Sequence, residues 1–454
     1  MHQSVTNPAT LEPLGEVPVC GSDEVREAVA AACSAQPGWQ DVPAPDRATL
    51  LREIGARIRA RTRELATLMT RESGKPLCES IDCIGAVATV FETCGSGVSL
   101  PPRAGVVAAI VPFNFPLMQM ACMMAPALAA GNALVCKPPH QDPLACLQLA
   151  AACDPLPTGV VNVVTGGPDA GRALVDATGV DVVMFTGSAA AGRSIAAAAQ
   201  RKRVDLEIGS VGALIVCRDA NLDIAVPGIA WTRLRNAGQG CGSGKHLYVE
   251  RSIAAEFVER MHQCIGFLDV DDPAKPPTDI GPLISLEAAH RVEDQVGRSL
   301  REGAKLILGG RRFRPSGLPG HFFQPTILTD VRAGSVPTRE EIMGPVITIT
   351  PVADAADAIR LAIESPFSAD AAIYTADPQA IIEAVERVKA GAIRICAPRE
   401  GVNTGPFDCM VRRGMRRALD AGVVDPFAPS QRVHIADLAQ TKPWWFPYSH
   451  RKIR

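Results

Sequence analysis

GVVAAIVPFNFPLMQMACMMAPALAAGNALVCKPP (105–139) is the stretch that decides the fold. Val106 to Val111 is apolar at every position, as expected of a strand covered on both faces rather than one alternating between core and water. Pro112 and Pro116 then fix an extended turn, and an apolar helix is expected from Leu117 to Ala130. Gly131 and Asn132 end it, and Ala133 to Lys137 reads as a second buried strand. The same alternation continues outward. Helices are expected at Pro143 to Ala152, Asp169 to Ala177 and Ala189 to Gln200, with strands at Val160 to Val164, Asp181 to Phe185, Val204 to Ile208 and Ala213 to Val216. Repeated βα units specify an α/β fold with a parallel, doubly wound sheet and helices on both faces. Upstream, a strand-like start precedes helices at Ser22 to Ala35 and Ala44 to Ser73, where Gly74 stops the run. Downstream, a second α/β section reaches about residue 404, with strands at His246 to Val249, Lys305 to Leu308, Val346 to Thr350 and Ala371 to Tyr374. The tail beyond Pro429 carries Trp444 and Trp445, a pair expected to cover an apolar surface.

Composition bounds the function. A chain of 454 residues, 47% hydrophobic and with a net charge of −2, can bury more than one core and has no electrostatic call on nucleic acid. Its 14 cysteines are scattered without a CxxC pair, and no secretory leader is read at the start, so a reduced cytoplasmic setting is expected. The apolar region from Val106 through Cys136 is broken by Pro112, Asn114, Pro116, Pro126, Gly131 and Asn132, which excludes a membrane span there.

Five features carry chemistry. In NAGQGCGSGK (236–245), Gly238, Gly240, Gly242 and Gly244 clear side chains from around Cys241, and Ser243 and Lys245 add polarity. Thr186, Gly187 and Ser188 lie between a strand and a helix, where free N–H groups and the helix dipole favour a phosphate. No GxGxxG fingerprint follows the first strand. Lys137 ends a buried strand at the edge where open α/β sheets take ligands. Asn114 is pinned between prolines in a loop, and Glu207 closes a strand of apolar neighbours, where desolvation would turn its carboxylate into a base. Singly, each has a commoner structural reading: a buried thiol, a turn and cap, a lysine in water, an asparagine bridging its own turn, a strand-end carboxylate.

Together and in order, VPFNFPL, PALAAGNALVCKP, FTGSAAAGR, LEIG, NAGQGC and EEIMGPV resemble the aldehyde dehydrogenase superfamily from about Asn7 to Arg417. The resemblance implies a Rossmann-type cofactor domain (1–207, with the remnant of a bridging element near 95–104) and an α/β catalytic domain (208–404). A C-terminal bridging segment and tail (405–454) would follow. It implies Cys241 as nucleophile, Glu207 as general base, and Asn114 with the Cys241 N–H as oxyanion hole. NAD or NADP would lie against Val111, Pro112, Phe113, Lys137, His140, Thr186, Gly187, Ser188, Glu341 and Met343. Of these, Lys137 would take the adenosine ribose, Ser188 the pyrophosphate and Glu341 the nicotinamide ribose. No metal is implied.

Several positions depart from the family. His140 stands where a glutamate commonly holds the ribose 2′-hydroxyl, so NADP should be accepted. Met343 replaces an aromatic ring. The chain is short between Gly97 and Ala104, and PFDCM (406–410) replaces a PFGG-like element, which leaves a homodimer as the expected assembly. These departures also define an alternative, a catalytically weak homologue serving as a binding or structural protein. Arg235, in RLRNAGQGC (233–241), resembles the arginine of an FRN motif in succinate-semialdehyde dehydrogenases. That implies a short aldehyde with an anionic far end; a helix-end arginine offsetting the dipole is the other reading.

Overall fold

The computed structural model describes residues 1–95, 105–199, 201–208, 212–240, 243–364, 370–388, 390, 392–397, 432–435 and 441–450. A hairpin of β1 (His2–Thr6) and β2 (Pro13–Pro18) opens the chain, followed by α1 (Ser22–Asp41), α2 (Ala44–Ala60), α3 (Thr62–Ser73) and α4 (Leu77–Cys94). Then come β3 (Val106–Ile110), α5 (Pro116–Ala129), β4 (Ala133–Lys137), α6 (Leu144–Ala151), β5 (Val161–Val163), α7 (Pro168–Asp176), β6 (Val182–Gly187), α8 (Ala189–Ala198) and β7 (Arg203–Ile208). The second section holds β8 (Ala213–Val216), α9 (Leu222–Leu234), β9 (His246–Glu250), α10 (Arg251–Gly266), α11 (Leu286–Arg301), β10 (Lys305–Leu308), β11 (Thr326–Thr329) and α12 (Val336–Arg339). It ends with β12 (Val346–Val352), α13 (Ala355–Glu364), β13 (Asp370–Tyr374), α14 (Pro378–Arg387), β14 (Ala392–Ile395) and β15 (Arg432–Ile435).

The first sheet runs β5-β4-β3-β6-β7 and is parallel throughout. Every residue of β3 and β4 is buried, as their uninterrupted apolar sequences require. One face packs on α2, α4 and α5, the other on α1 and α7. Asn132 ties the turn between α5 and β4: its side chain accepts from Gly105 N at 3.1 Å and donates to the Ala127 carbonyl at 3.1 Å. The second sheet runs β10-β11-β12-β9-β8-β13-β14-β15 and is parallel except where β10 meets β11.

Three helical expectations need correction. The first helix does not stop at Ala35 but continues through Pro37 to Asp41. The hydrogen bond lost at Pro37 is offset by Trp39, which is fully buried and donates its indole N–H to the Leu128 carbonyl at 3.1 Å. The run from Ala44 to Ser73 is two helices broken at Arg61, and a further helix, α4, lies where the sequence analysis expects none. Gly74 does end α3, at φ 78°, where an added Cβ would stand 2.6 Å from Pro282. Trp445 is buried in the second core with Phe446 and Tyr448, which agrees with a tail that covers apolar surface.

Candidate active site

Parallel strands end on the same side, so the first sheet gathers its strand-end residues along one edge. Ile110 lies opposite both Lys137 and Phe185, and Thr186 opposite Glu207. Val111, Pro112, Phe113, Lys137, Thr186, Gly187 and Glu207 therefore emerge together at the carboxyl edge, with Ser188 capping α8 beside them by accepting from Ala191 N at 3.3 Å. Lys137 is buried, not a strand-end lysine in water. It donates to the Pro138 carbonyl at 3.0 Å, no carboxylate lies within ion-pair distance among the described residues, and burial pushes its pKa down to about 8. A buried ammonium at the carboxyl edge of a parallel sheet, with the α8 N-terminus opening at the same edge, fits a ribose hydroxyl or phosphate, so these residues suit a dinucleotide. His140 is exposed, and partial desolvation together with the Lys137 charge holds its imidazole below the ordinary range.

Glu207 is half-buried. Thr186 Oγ1 lies 3.5 Å from Glu207 Oε2 and 3.4 Å from Gln119 Oε1, so a buried polar chain reaches the carboxylate from α5. Asn114 is buried; its side-chain oxygen accepts from Phe115 N at 3.1 Å, which fixes the amide plane. The backbone carbonyl of Asn114 accepts from Lys75 Nζ and from Asn236 Nδ2, each at 3.0 Å. This is how the FNF loop and the NAGQGC segment are held together.

That segment is strained. Asn236 and Ala237 take left-handed conformations at φ 52° and 53°, which cost roughly 1 kcal/mol or more per non-glycine residue. The neighbours enforce them. Asn236 N donates to both oxygens of Glu79 at 3.1 and 3.0 Å, and Gln239 Oε1 accepts from Ile284 N at 3.0 Å. At Gly238 an added Cβ would stand 1.9 Å from the Gly344 carbonyl oxygen, so NAGQGC and EEIMGPV touch through a position only glycine can fill. Glu341 pairs with Lys245, which is buried, and Met343 Sδ lies 2.7 Å from the same ammonium. Cys241 itself lies outside the described residues, as do the shortened 96–104 stretch and PFDCM.

Arg235 follows the last residue of α9. Its guanidinium lies 4.7 Å from the Trp231 ring and 5.6 Å from the Phe115 ring, one residue from Asn114. Sequence reasoning assigned nothing to Lys75, Glu79, Gln119, Asn236 or Tyr448. Tyr448 donates its hydroxyl to Glu79 at 2.9 Å and accepts from the Trp231 indole at 3.2 Å, so the tail braces the back of the strained turn. Burial raises the Glu79 pKa and lowers that of Lys75. Arg233 is also fully buried, donating to Ser243 Oγ at 2.9 Å and to the Val346 carbonyl.

The family model described as "Aldehyde dehydrogenase family" matches residues 1–415. The chain belongs to the aldehyde dehydrogenase family. It is 37% identical over 424 residues to the Escherichia coli (strain K12) succinate-semialdehyde dehydrogenase [NADP(+)] GabD, covering 88% of this chain and 86% of that protein. It is 34% identical to the glutarate-semialdehyde dehydrogenase of Pseudomonas aeruginosa, with the same coverage of each. Among solved structures, it resembles an E. coli NADP dependent enzyme with a TM-score of 0.84 and 35% identity, covering 88% of this chain and 87% of that one. The E. coli lactaldehyde dehydrogenase gives a TM-score of 0.84 at 32% identity, covering 88% of each chain. This aldehyde dehydrogenase thus has the expected α/β fold, and its activity is NAD(P)-dependent oxidation of an aldehyde. No helix among the described residues is long and apolar enough to cross a membrane.

Proposed function

We propose that this aldehyde dehydrogenase oxidises a short aldehyde with an anionic far end to its carboxylic acid, through a covalent intermediate on Cys241. The Cys241 thiolate adds to the carbonyl carbon, and the C=O electron pair moves to oxygen. The Asn114 amide and the Cys241 N–H hold that oxyanion of the thiohemiacetal. Bound NAD or NADP supplies the hydride acceptor that leaves a thioester. Glu207 then takes a proton from water as the water attacks the thioester carbon; the C–S bond breaks, releasing the acid and the thiolate. Transfer of the acyl group to coenzyme A or phosphate would not require Glu207, so its presence at the sheet edge supports hydrolysis. Residues 1–207 would form the cofactor domain, 208–404 the catalytic domain and 405–454 the bridging segment and tail. We place the protein in the cytoplasm as a homodimer; cysteines scattered through the chain without a CxxC pair fit a reducing compartment.

The observation that carries the substrate class is the Arg235 guanidinium, seated between Phe115 and Trp231 beside the oxyanion loop. A guanidinium fork suits a carboxylate or a phosphonate, and the succinate- and glutarate-semialdehyde dehydrogenases among its relatives are named for substrates of this kind. The test compares kcat/KM for succinate semialdehyde and for neutral butanal in wild type and Arg235→Leu. Loss of one charge-assisted contact should cost the anionic substrate about 1.5 to 3 kcal/mol and leave butanal nearly unchanged. Equal losses for both would make Arg235 a structural residue.

NADP acceptance follows from His140, which offers no carboxylate against a 2′-phosphate, and from Lys137, which can pair with one. The GabD relative and the solved NADP dependent enzyme are consistent with this. Lys137 is charged below its pKa of about 8 and neutral above it. The ratio of kcat/KM for NADP to that for NAD should therefore fall as pH rises, by about tenfold for a lost ion pair worth about 1.4 kcal/mol. A ratio flat across that range would place phosphate recognition elsewhere.

A further inference from the structure

We propose that Lys245 is a positioning residue for the cofactor, holding Glu341 so that its carboxylate stands ready for the nicotinamide ribose. The inference rests on the reading of Glu341 given above. Lys245 sits where the NAGQGC segment enters β9, and its backbone is anchored: its carbonyl accepts from Thr348 Oγ1 at 3.0 Å. The preceding Gly244 has φ +59°, and an added Cβ there would stand 2.5 Å from Leu214, so the chain has little room to shift. From that base the side chain reaches across to the EEIMGP segment. The ammonium meets Oε1 of Glu341 and, at 2.7 Å, the sulfur of Met343, the residue that stands in place of an aromatic ring. One cation thus touches both side chains of the segment that the family resemblance places against the cofactor.

The energetics favour a fixed geometry. The Lys245 side chain is 3% exposed and that of Glu341 26%. If Glu341 turned away to water, a buried ammonium would lose its carboxylate, which is far costlier than breaking a surface ion pair. Glu341 is also restrained from behind, because Gln295 Nε2 donates to its backbone carbonyl at 3.2 Å. The pair takes up one carboxylate oxygen, and a carboxylate accepts through two. The second can meet a ribose hydroxyl without reorganisation, so the cost of ordering Glu341 falls on folding and not on binding.

Two consequences distinguish this role from generic packing. The nicotinamide ribose is common to NAD and NADP, so removing Lys245 should weaken both equally. Because Lys245 acts through Glu341, its loss should matter only while Glu341 is present. Dissociation constants of the full-length enzyme for NADH and NADPH, read by nicotinamide fluorescence, test this for wild type, K245M, K245Q, E341Q and K245M/E341Q. Thermal melts verify that each variant folds. Should K245M fail to fold, K245Q, which keeps an uncharged donor, serves in its place. We expect K245M to raise both constants about tenfold, the effect of one charge-assisted hydrogen bond, with K245Q intermediate. The double variant should be no weaker than E341Q alone. Wild-type affinity in K245M beside weakened binding in E341Q, independent losses that multiply in the double variant, or a loss confined to NADPH would each overturn the proposal. Wild-type affinity in E341Q would instead remove the underlying assignment of Glu341.

Discussion

Cys241→Ala is expected to abolish aldehyde oxidation, lowering kcat by at least about 10⁴-fold, while NADPH still binds with its wild-type affinity. The thiol would make the covalent bond to substrate, whereas the cofactor would rest on the carboxyl edge of the first sheet, around Lys137, Thr186 and Ser188. Cys94 and Cys153 are not prepared to replace it. Burial raises the pKa of Cys94 and Cys153 to about 12 in each case, and both lie in the first hydrophobic core. A buried neutral thiol is a poor nucleophile. Steady-state turnover together with a cofactor titration makes the measurement. Substantial turnover by the purified variant would remove Cys241 from the mechanism, and parallel loss of cofactor binding would make it a structural residue.

Glu207→Gln should separate the two halves of the reaction. Addition of the thiolate and departure of the hydride do not need the carboxylate, but activation of water does. The expected trace in a stopped-flow experiment is a burst of about one reduced cofactor per active site, followed by turnover slowed by about 10²- to 10⁴-fold. The substitution is sterically mild, and a glutamine at 207 can still meet the Thr186 hydroxyl, so the fold should survive. Unimpaired steady turnover would exclude Glu207 as the essential base. Loss of the burst as well would place it before hydride transfer.

The readable parts of this molecule were those whose physics is local in sequence. Strands β3 and β4 announce themselves because each is apolar throughout, and the Gly131–Asn132 turn between them is set by residues at hand. Gly74 could be read as a helix end because a left-handed C-cap favours glycine. The extension of α1 through Pro37 could not, since it depends on Trp39 meeting Leu128, 89 residues away. The same distinction holds at the site. The motif residues at the sheet edge share a line because parallel strands end together, which the βα alternation already implies. Lys75, Glu79 and Tyr448 left no such signal. Glu79 meets Asn236 across 157 positions and Tyr448 across 369, and nothing near any of them in sequence marks the contact. Lys245 was visible within the quoted segment, but only as a polar residue, because its partner Glu341 lies 96 positions on.

The proposed oxidation of an anionic aldehyde covalently bound at Cys241 can be trapped by mixing the Glu207→Gln enzyme with succinate semialdehyde and NADP, quenching after one turnover, and mapping the adduct by peptide mass spectrometry. The predicted result is a succinyl group on the peptide containing Cys241, formed in step with one reduced cofactor per site and missing when NADP is left out. Reduced cofactor without an acyl group on that peptide, or an acyl group on a different cysteine, would contradict the claim.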